Sequence, residues 1–212
     1  MASNYTGFYA RFEAPSKKTG GILTGADTLV GDDFEIFFKT ESGTTVAWAK
    51  NRFGAEVGFF DADATRKLQL AVARGMQIRA LLSFVAYTDQ PDPGVYWGEM
   101  ALLCYIDDDA GVFSTFVSNV AAKLCEGVRV DINLGSQDIA MLQENPNWLP
   151  KGTIFLPETS RGSAILKSKR TFSEKVVEQG RRGNIGCYIA TFVIFAAVIA
   201  LIVFGLRSCG VF

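Results

Sequence analysis

"QIRALLSFVAYTDQPDPGVYWGEMALLCYI" (residues 77–106) decides the fold of this chain. Two apolar runs, 77–88 and 95–106, flank "DQPDPG", whose two prolines and closing glycine read as a turn. Both runs are rich in β-branched and aromatic residues. They are apolar on both faces apart from Arg79 and Glu99. Strands of that kind are covered on each side, or pack one face on a helix and the other on a partner. The expectation is a long central hairpin. A buried carboxylate needs a partner or a raised pKa. Arg79 on the neighbouring run is the expected cross-strand partner of Glu99. Tyr87, Tyr96 and Trp97 would supply the surface or the core that the hairpin organises.

Upstream, "FEIFFK" (34–39), "TTVAWAK" (44–50) and "AEVGFFD" (55–61) are three short β-rich runs. "TESG" and "NRFG" separate them, each ending in a glycine suited to a hairpin turn, so the trio reads as a β-meander. "DADATRKLQLAVARG" (61–75) reads as a helix capped by Asp63, with Leu68, Ala71 and Val72 on one face and Gly75 at its end. The Gly-, Ser- and Asp-rich opening reads as loops around a short strand near "TGFYARFEA" (6–14).

Downstream, "DDDAG" (107–111) is a loop. "VFSTFVSNVAAKLCEG" (112–127) is an amphipathic helix with Phe116, Val117, Val120 and Leu124 inward. "VRVDIN" (128–133) reads as a strand. "SQDIAMLQENP" (136–146) reads as a short helix capped by Ser136 and stopped by Pro146, and "GTIFLPE" (152–158) as the last strand. A polar linker follows from Thr159, with a short helix over about 171–180. The sum is an α+β domain: a small, mostly antiparallel β-barrel or curled sheet with two or three helices.

The sequence then changes character. Ile185 to Leu206 is 22 residues without a charge. As a helix it would be about 33 Å long, close to the roughly 30 Å hydrocarbon core of a bilayer. Lys167, Lys169, Arg170, Lys175, Arg181 and Arg182 precede it and Arg207 follows, which by the positive-inside rule puts the upstream side in the cytoplasm. No basic start followed by an apolar run opens the chain. The expected organisation is a cytosolic domain over 1–158, a basic juxtamembrane linker over 159–184, a transmembrane helix over 185–206 and a short outer tail over 207–212. That is tail-anchored, single-pass topology in a cell membrane. The expected partners are the lipid bilayer and a protein at the membrane. Cys187, at the cytoplasmic end of the span, is a candidate for S-acylation.

Charge supports two surroundings for one chain. Residues 1–160 hold 13 Lys and Arg against 20 Asp and Glu, and residues 161–212 hold 8 against 2. Histidine is absent, which excludes Ser-His-Asp and Cys-His catalysis and His-ligated zinc. Cys104, Cys125, Cys187 and Cys209 form no Cys-x-x-Cys pair. No phosphate-binding glycine motif or other cofactor signature is present, so no cofactor, metal or catalytic residue is assigned. Asp107, Asp108 and Asp109 form an acidic run that reads as a solvated loop, with a hard-cation site or a carboxylate-only hydrolase as the alternative.

"GTTVAWAKNRFGAEVGFFDADATRKLQLAVARGMQIRALL" (43–82) has a recognisable cadence: strand, Gly turn, "VGFF" strand, helix, Gly75 and a long strand. Over about residues 44–88 this resembles the second half of a HIRAN domain, a small β-barrel module of DNA-processing proteins. The resemblance implies a barrel fold and, as an alternative function, binding of single-stranded DNA ends. The family's contacts lie mostly in an Arg-Glu-Pro-x-Asn type segment. The corresponding "FEIFFKTESGTTVAWA" (34–49) has no Pro, Asn or Arg, so no binding residue carries over. Independently, Arg52, Arg66, Lys67, Arg74 and Arg79 fall close together in sequence with Trp48, Phe53, Phe59 and Phe60 among them. The pattern suits a phosphate-and-base surface, or simply a solvated face with Phe59 or Phe60 turned inward.

Overall fold

The two apolar runs around the Pro-rich turn form the expected hairpin, strands β5 (Gln77–Thr88) and β6 (Val95–Tyr105). The computed structural model describes residues 4–41, 43–106, 110–159 and 161–181, with the single positions 193 and 195. Before the hairpin come β1 (Tyr5–Glu13), α1 (Lys17–Thr24), β2 (Asp33–Glu41), β3 (Thr44–Lys50), β4 (Glu56–Phe60) and α2 (Ala62–Ala73). After it come α3 (Ala110–Cys125), α4 (Ser136–Glu144), β7 (Ser163–Lys167) and α5 (Phe172–Arg181).

The sheet runs β2-β3-β4-β1-β6-β5-β7, and β2 also pairs with β5. That extra pairing closes the first six strands into an antiparallel barrel. Strand β5 is long enough to serve two neighbours: Ala80 and Leu81 pair with β2, while Val85 to Thr88 pair with β7. A β-bulge makes the division. Leu82 faces Met100 and Phe84 faces Glu99, leaving Ser83 as the extra residue. Parity therefore switches along β5. Ala80, Leu82 and Val85 join the barrel's interior core, whereas Phe84 and Ala86 join a cluster on its outer face. This is how one strand can be apolar on both sides.

The interior core holds Phe12, Phe60, Leu68, Leu82, Met100 and Leu102. A second core lies on the outer face of the hairpin, where Phe113, Phe116, Val117, Val120 and Leu124 of α3 cover Leu81, Leu103 and Tyr105. Met1–Arg170 is one compact unit, and Thr171–Phe212 is a second.

Several sequence expectations need correction. The "short strand" at the start is the nine-residue β1, paired along its whole length with β6. Residues read as loop after it include helix α1, capped by the Ser16 hydroxyl. Among the described residues the domain forms four helices, α1 to α4, where two or three were expected, and α5 lies where the separate short helix over about 171–180 was expected. Asp61 and not Asp63 caps α2, its carboxylate accepting from the Ala64 N–H at 2.8 Å. Val72 is exposed, since Ala64, Leu68 and Ala71 already fill the inward stripe. Gly135 occupies the N-cap of α4, and its N–H is held by Asp138. "VRVDIN" and "GTIFLPE" form no strands, only the bridge Val130–Thr153. Their alternation reflects burial of Val130 and Ile132 on the barrel, with Tyr5 and Tyr9 hydroxyls taking the Ile132 and Val130 carbonyls. The expected linker from 159 instead supplies β7.

The Asp107–Asp109 run and Arg182 fall outside the described residues, as does the expected span over 185–206 but for Val193 and Phe195. Among the described residues no helix is long and apolar enough to cross a membrane.

Candidate functional site

Alternation along β1 turns Arg11 and Glu13 to the outer face, and alternation along β6 does the same for Trp97 and Glu99. Register sets Arg11 opposite Glu99 and Glu13 opposite Trp97. The Arg11 guanidinium lies 4.3 Å from the Trp97 ring centre and pairs with Glu13 at 2.9 Å. Trp97 is fixed from below by Phe84, edge-on at 5.5 Å, and from the side by its indole N–H, which donates to the Thr88 hydroxyl at 2.9 Å. Thr88 in turn bonds Ser163 of β7. The segment around Pro157 and Glu158 forms the facing wall. The result is a cleft of about 520 Å³ whose lining includes Arg11, Trp97 and the side chains of Glu13, Glu99 and Glu158.

Glu99 is not paired with Arg79. Its partner is Arg129, from the segment after α3, which is 5% exposed. Arg129 also donates to the Phe155 carbonyl at 2.7 Å and lies over the rings of Tyr9 (4.5 Å) and Phe84 (5.4 Å). The hairpin register is responsible for the correction. Arg79 faces Leu103, well along the strand from Glu99, and pairs with Asp33 of β2 at 2.8 Å. The signal for Arg129 was present as a basic residue inside the apolar alternation "VRVDI", but only the tertiary path of that segment brings it to Glu99. Burial raises the Tyr9 phenol well above its ordinary range, more than the nearby Arg129 lowers it. The phenol therefore stays a donor to the Val130 carbonyl across neutral pH.

The basic residues singled out from sequence are placed as follows. Arg52 borders a second hollow of about 490 Å³ with Asp33, Glu35, Lys50 and Asn51. It stands 3.6 Å from Asp32, and Lys50 pairs with Glu35 at 2.8 Å. Lys67 pairs with Asp63 on α2 at 2.7 Å. Arg66 is exposed on the same helix, and Arg74 is its C-cap. Three of these five cations, Arg52, Lys67 and Arg79, thus stand beside carboxylates. Phe60 is buried in the barrel against Phe12, and Phe59 packs on Trp48 at 5.4 Å.

Two of the expected membrane-flanking cations serve the domain itself. Lys167 donates to the Gly25 and Thr28 carbonyls at 3.0 and 2.8 Å. Arg170 donates to the Val30 carbonyl and to Asp32. Lys175 and Arg181 lie on α5. Among the described residues no three His, Cys, Asp or Glu side chains come together to hold a metal. Chemically, most of the groups lining the cleft already have partners: the Trp97 indole is 7% exposed with the Arg11 guanidinium over its face, Glu13 pairs with Arg11 and Glu99 pairs with Arg129. Comparison with protein-family models, curated proteins and solved structures finds no match.

Proposed function

We propose that this chain is a single-pass, tail-anchored membrane protein whose folded domain faces the cytoplasm as a binding or scaffolding module, with the Trp97 cleft as its binding surface. The observation that carries the reading is the uncharged run Ile185–Leu206, preceded by a stretch rich in Lys and Arg. Its length matches a bilayer, and the charge bias sets its direction. The cleft supports the binding role because it is a hollow of about 520 Å³ lined by charged and polar side chains beside the nearly buried Trp97. Expressed in cells, the full chain should stay in the membrane pellet through an alkaline carbonate wash. Its folded domain should be digested by protease only from the cytoplasmic side. Release into the carbonate supernatant would end the membrane reading; digestion only from the opposite side would reverse its orientation.

A second reading, a nucleic-acid module of HIRAN type tethered to the membrane, is favoured by one observation. The residues that carry the resemblance fall on β3, β4, α2 and β5 of a closed barrel. The pairing of Arg52, Lys67 and Arg79 with carboxylates weakens it, because phosphate contacts require available cations. Anisotropy of a labelled single-stranded oligonucleotide across a salt series decides. Binding that falls steeply with salt favours this reading, and no binding at low salt removes it.

A further inference from the structure

We propose that α5 lies in the headgroup–acyl boundary of the bilayer that holds residues 185–206, with Phe172, Val176 and Val177 immersed. The inference rests on the membrane-anchor reading above.

The helix organises its own start. The Thr171 N–H donates to Glu174 Oε2 at 2.8 Å, while the Glu174 N–H donates to the Thr171 hydroxyl at 3.4 Å. That reciprocal pair is a capping box, which satisfies N–H groups otherwise left free at a helix start. At about 100° per residue, Phe172, Ser173, Val176, Val177 and Gly180 fall on one arc, and Glu174, Lys175 and Glu178 on the other. The apolar arc is uncovered: Phe172 is 83% exposed, Val176 52% and Val177 37%. Three neighbouring apolar side chains on one face of a short helix form a stripe suited to an apolar surface.

Chain length names the occupant. Only residues 182–184 separate the end of α5 from the apolar run that begins at Ile185. Fully extended, that connection spans about 14 Å. The headgroup layer on each side of a bilayer is itself about 5–8 Å deep. Once 185–206 is in the membrane, the end of α5 cannot leave its surface, and the nearest apolar medium for the stripe is the acyl boundary. Interfacial helices settle about 5–10 Å into that boundary with their polar face outward. A protein partner fits less well. Three apolar side chains on a ten-residue helix fall far short of the roughly 800 Å² per side that a stable protein interface buries. Lys175, Arg181 and Arg182 outnumber Glu174 and Glu178 in this segment, a bias that favours anionic lipid.

The test uses the full chain carrying Phe172→Trp, reconstituted into vesicles of phosphatidylcholine and phosphatidylglycerol with or without brominated acyl chains. The native Trp48, Trp97 and Trp148 emission is removed by subtracting the parent chain. The emission added by F172W should be blue-shifted and should fall by about half with brominated lipid, as expected for a ring at the acyl boundary. A Glu178→Trp chain, on the opposite arc, should show neither effect. If the chain floats with the vesicles but F172W emits as in water, α5 is not interfacial, although the anchor stands. Equal quenching of F172W and E178W also overturns the proposal, since immersion would then ignore the helix face. If the chain does not float at all, the anchor reading fails and this inference with it.

Discussion

At the scale of single residues, the Glu99–Arg129 pair shows where polar chemistry was tolerated inside an apolar fold. Both partners are largely removed from solvent, and Arg129 lies against two aromatic rings. Removing one member of such a pair leaves the other uncompensated and typically costs about 3 kcal/mol or more. Arg129→Ala should therefore lower stability by roughly that amount, and Glu99→Gln by less because Glu99 keeps some water contact. Urea unfolding of both variants and of the double mutant measures the coupling. Simple additivity would show that the pair contributes nothing. A second consequence concerns alkali. Burial raises the Cys104 thiol from its ordinary 9.0 to about 12, and raises the Tyr5 and Tyr9 phenols above their ordinary 10.0. Above about pH 9 the unfolded chain sheds these protons while the folded chain holds them. The unfolded state then binds fewer protons, so stability falls as pH rises. The contribution is intact below pH 9.0 and is lost progressively towards about 12. The urea midpoint should stay level near neutrality and decline across that window, less steeply in Tyr9→Phe. A midpoint that stays level to about pH 11 would contradict the burial of these groups.

At the scale of elements, β7 and the bulge at Ser83 decide most. Strand β7 extends the sheet along Val85–Thr88, and Ile165 packs on the cluster of Phe84, Ala86 and Trp97. Just after it, Arg170 reaches Asp32, both nearly buried. A chain cut at residue 158, where the sequence alone would end the domain, loses all of these. It uncovers the cluster and leaves Asp32 with Arg52 at 3.6 Å and the Leu29 N–H but without the closer Arg170. Residues 1–170 should unfold cooperatively on heating, whereas residues 1–158 should be less stable by several kcal/mol, from the lost β7 pairing and the uncovered apolar cluster together with the lost Arg170–Asp32 contact. Equal melting of the two would show that β7 is dispensable. The bulge offers a milder test. The Ser83 hydroxyl is buried with no hydrogen-bond partner among the described residues. Ser83→Ala should be neutral or stabilising by about 1 kcal/mol, where most core substitutions cost stability. Gly7 is the opposite case: a Cβ there would collide with the Ile132 carbonyl and the Tyr5 hydroxyl. Gly7→Ala should push the 128–134 segment off β1 and destabilise by about 1–3 kcal/mol.

At the scale of the whole molecule, the charge asymmetry takes on a different meaning once the domain boundary is known. Arg161, Lys167, Lys169 and Arg170 lie inside the first compact unit and not in a free linker. Lys167 and Arg170 tie β7 to the loop before β2. They are internal countercharges for an acidic barrel before they are topology signals. On the proposed anchoring, residues 1–170 alone should leave the membrane fraction while keeping their fold. Retention of that fragment on membranes would point to a lipid-binding surface on the barrel itself.

The sequence by itself determined the class of this protein: an α+β domain with a mostly antiparallel barrel or curled sheet around the 77–106 hairpin. The meander, the helix that follows it and the inward face of α3 were legible too, because periodicity and turn residues act over a few neighbours. It also marked Glu99 as out of place and drew attention to Trp97. Only the tertiary structure decided barrel closure, the partner of Glu99, the role of 163–170 and the cleft. Each depends on which distant segments meet. A one-residue bulge reverses the facing of every later side chain on β5, and a polar-looking stretch becomes a strand only because Val85–Thr88 offers it an open edge. Local pattern carries no record of such encounters, since the free energy that fixes them comes from burial and hydrogen bonding between parts of the chain far apart in sequence.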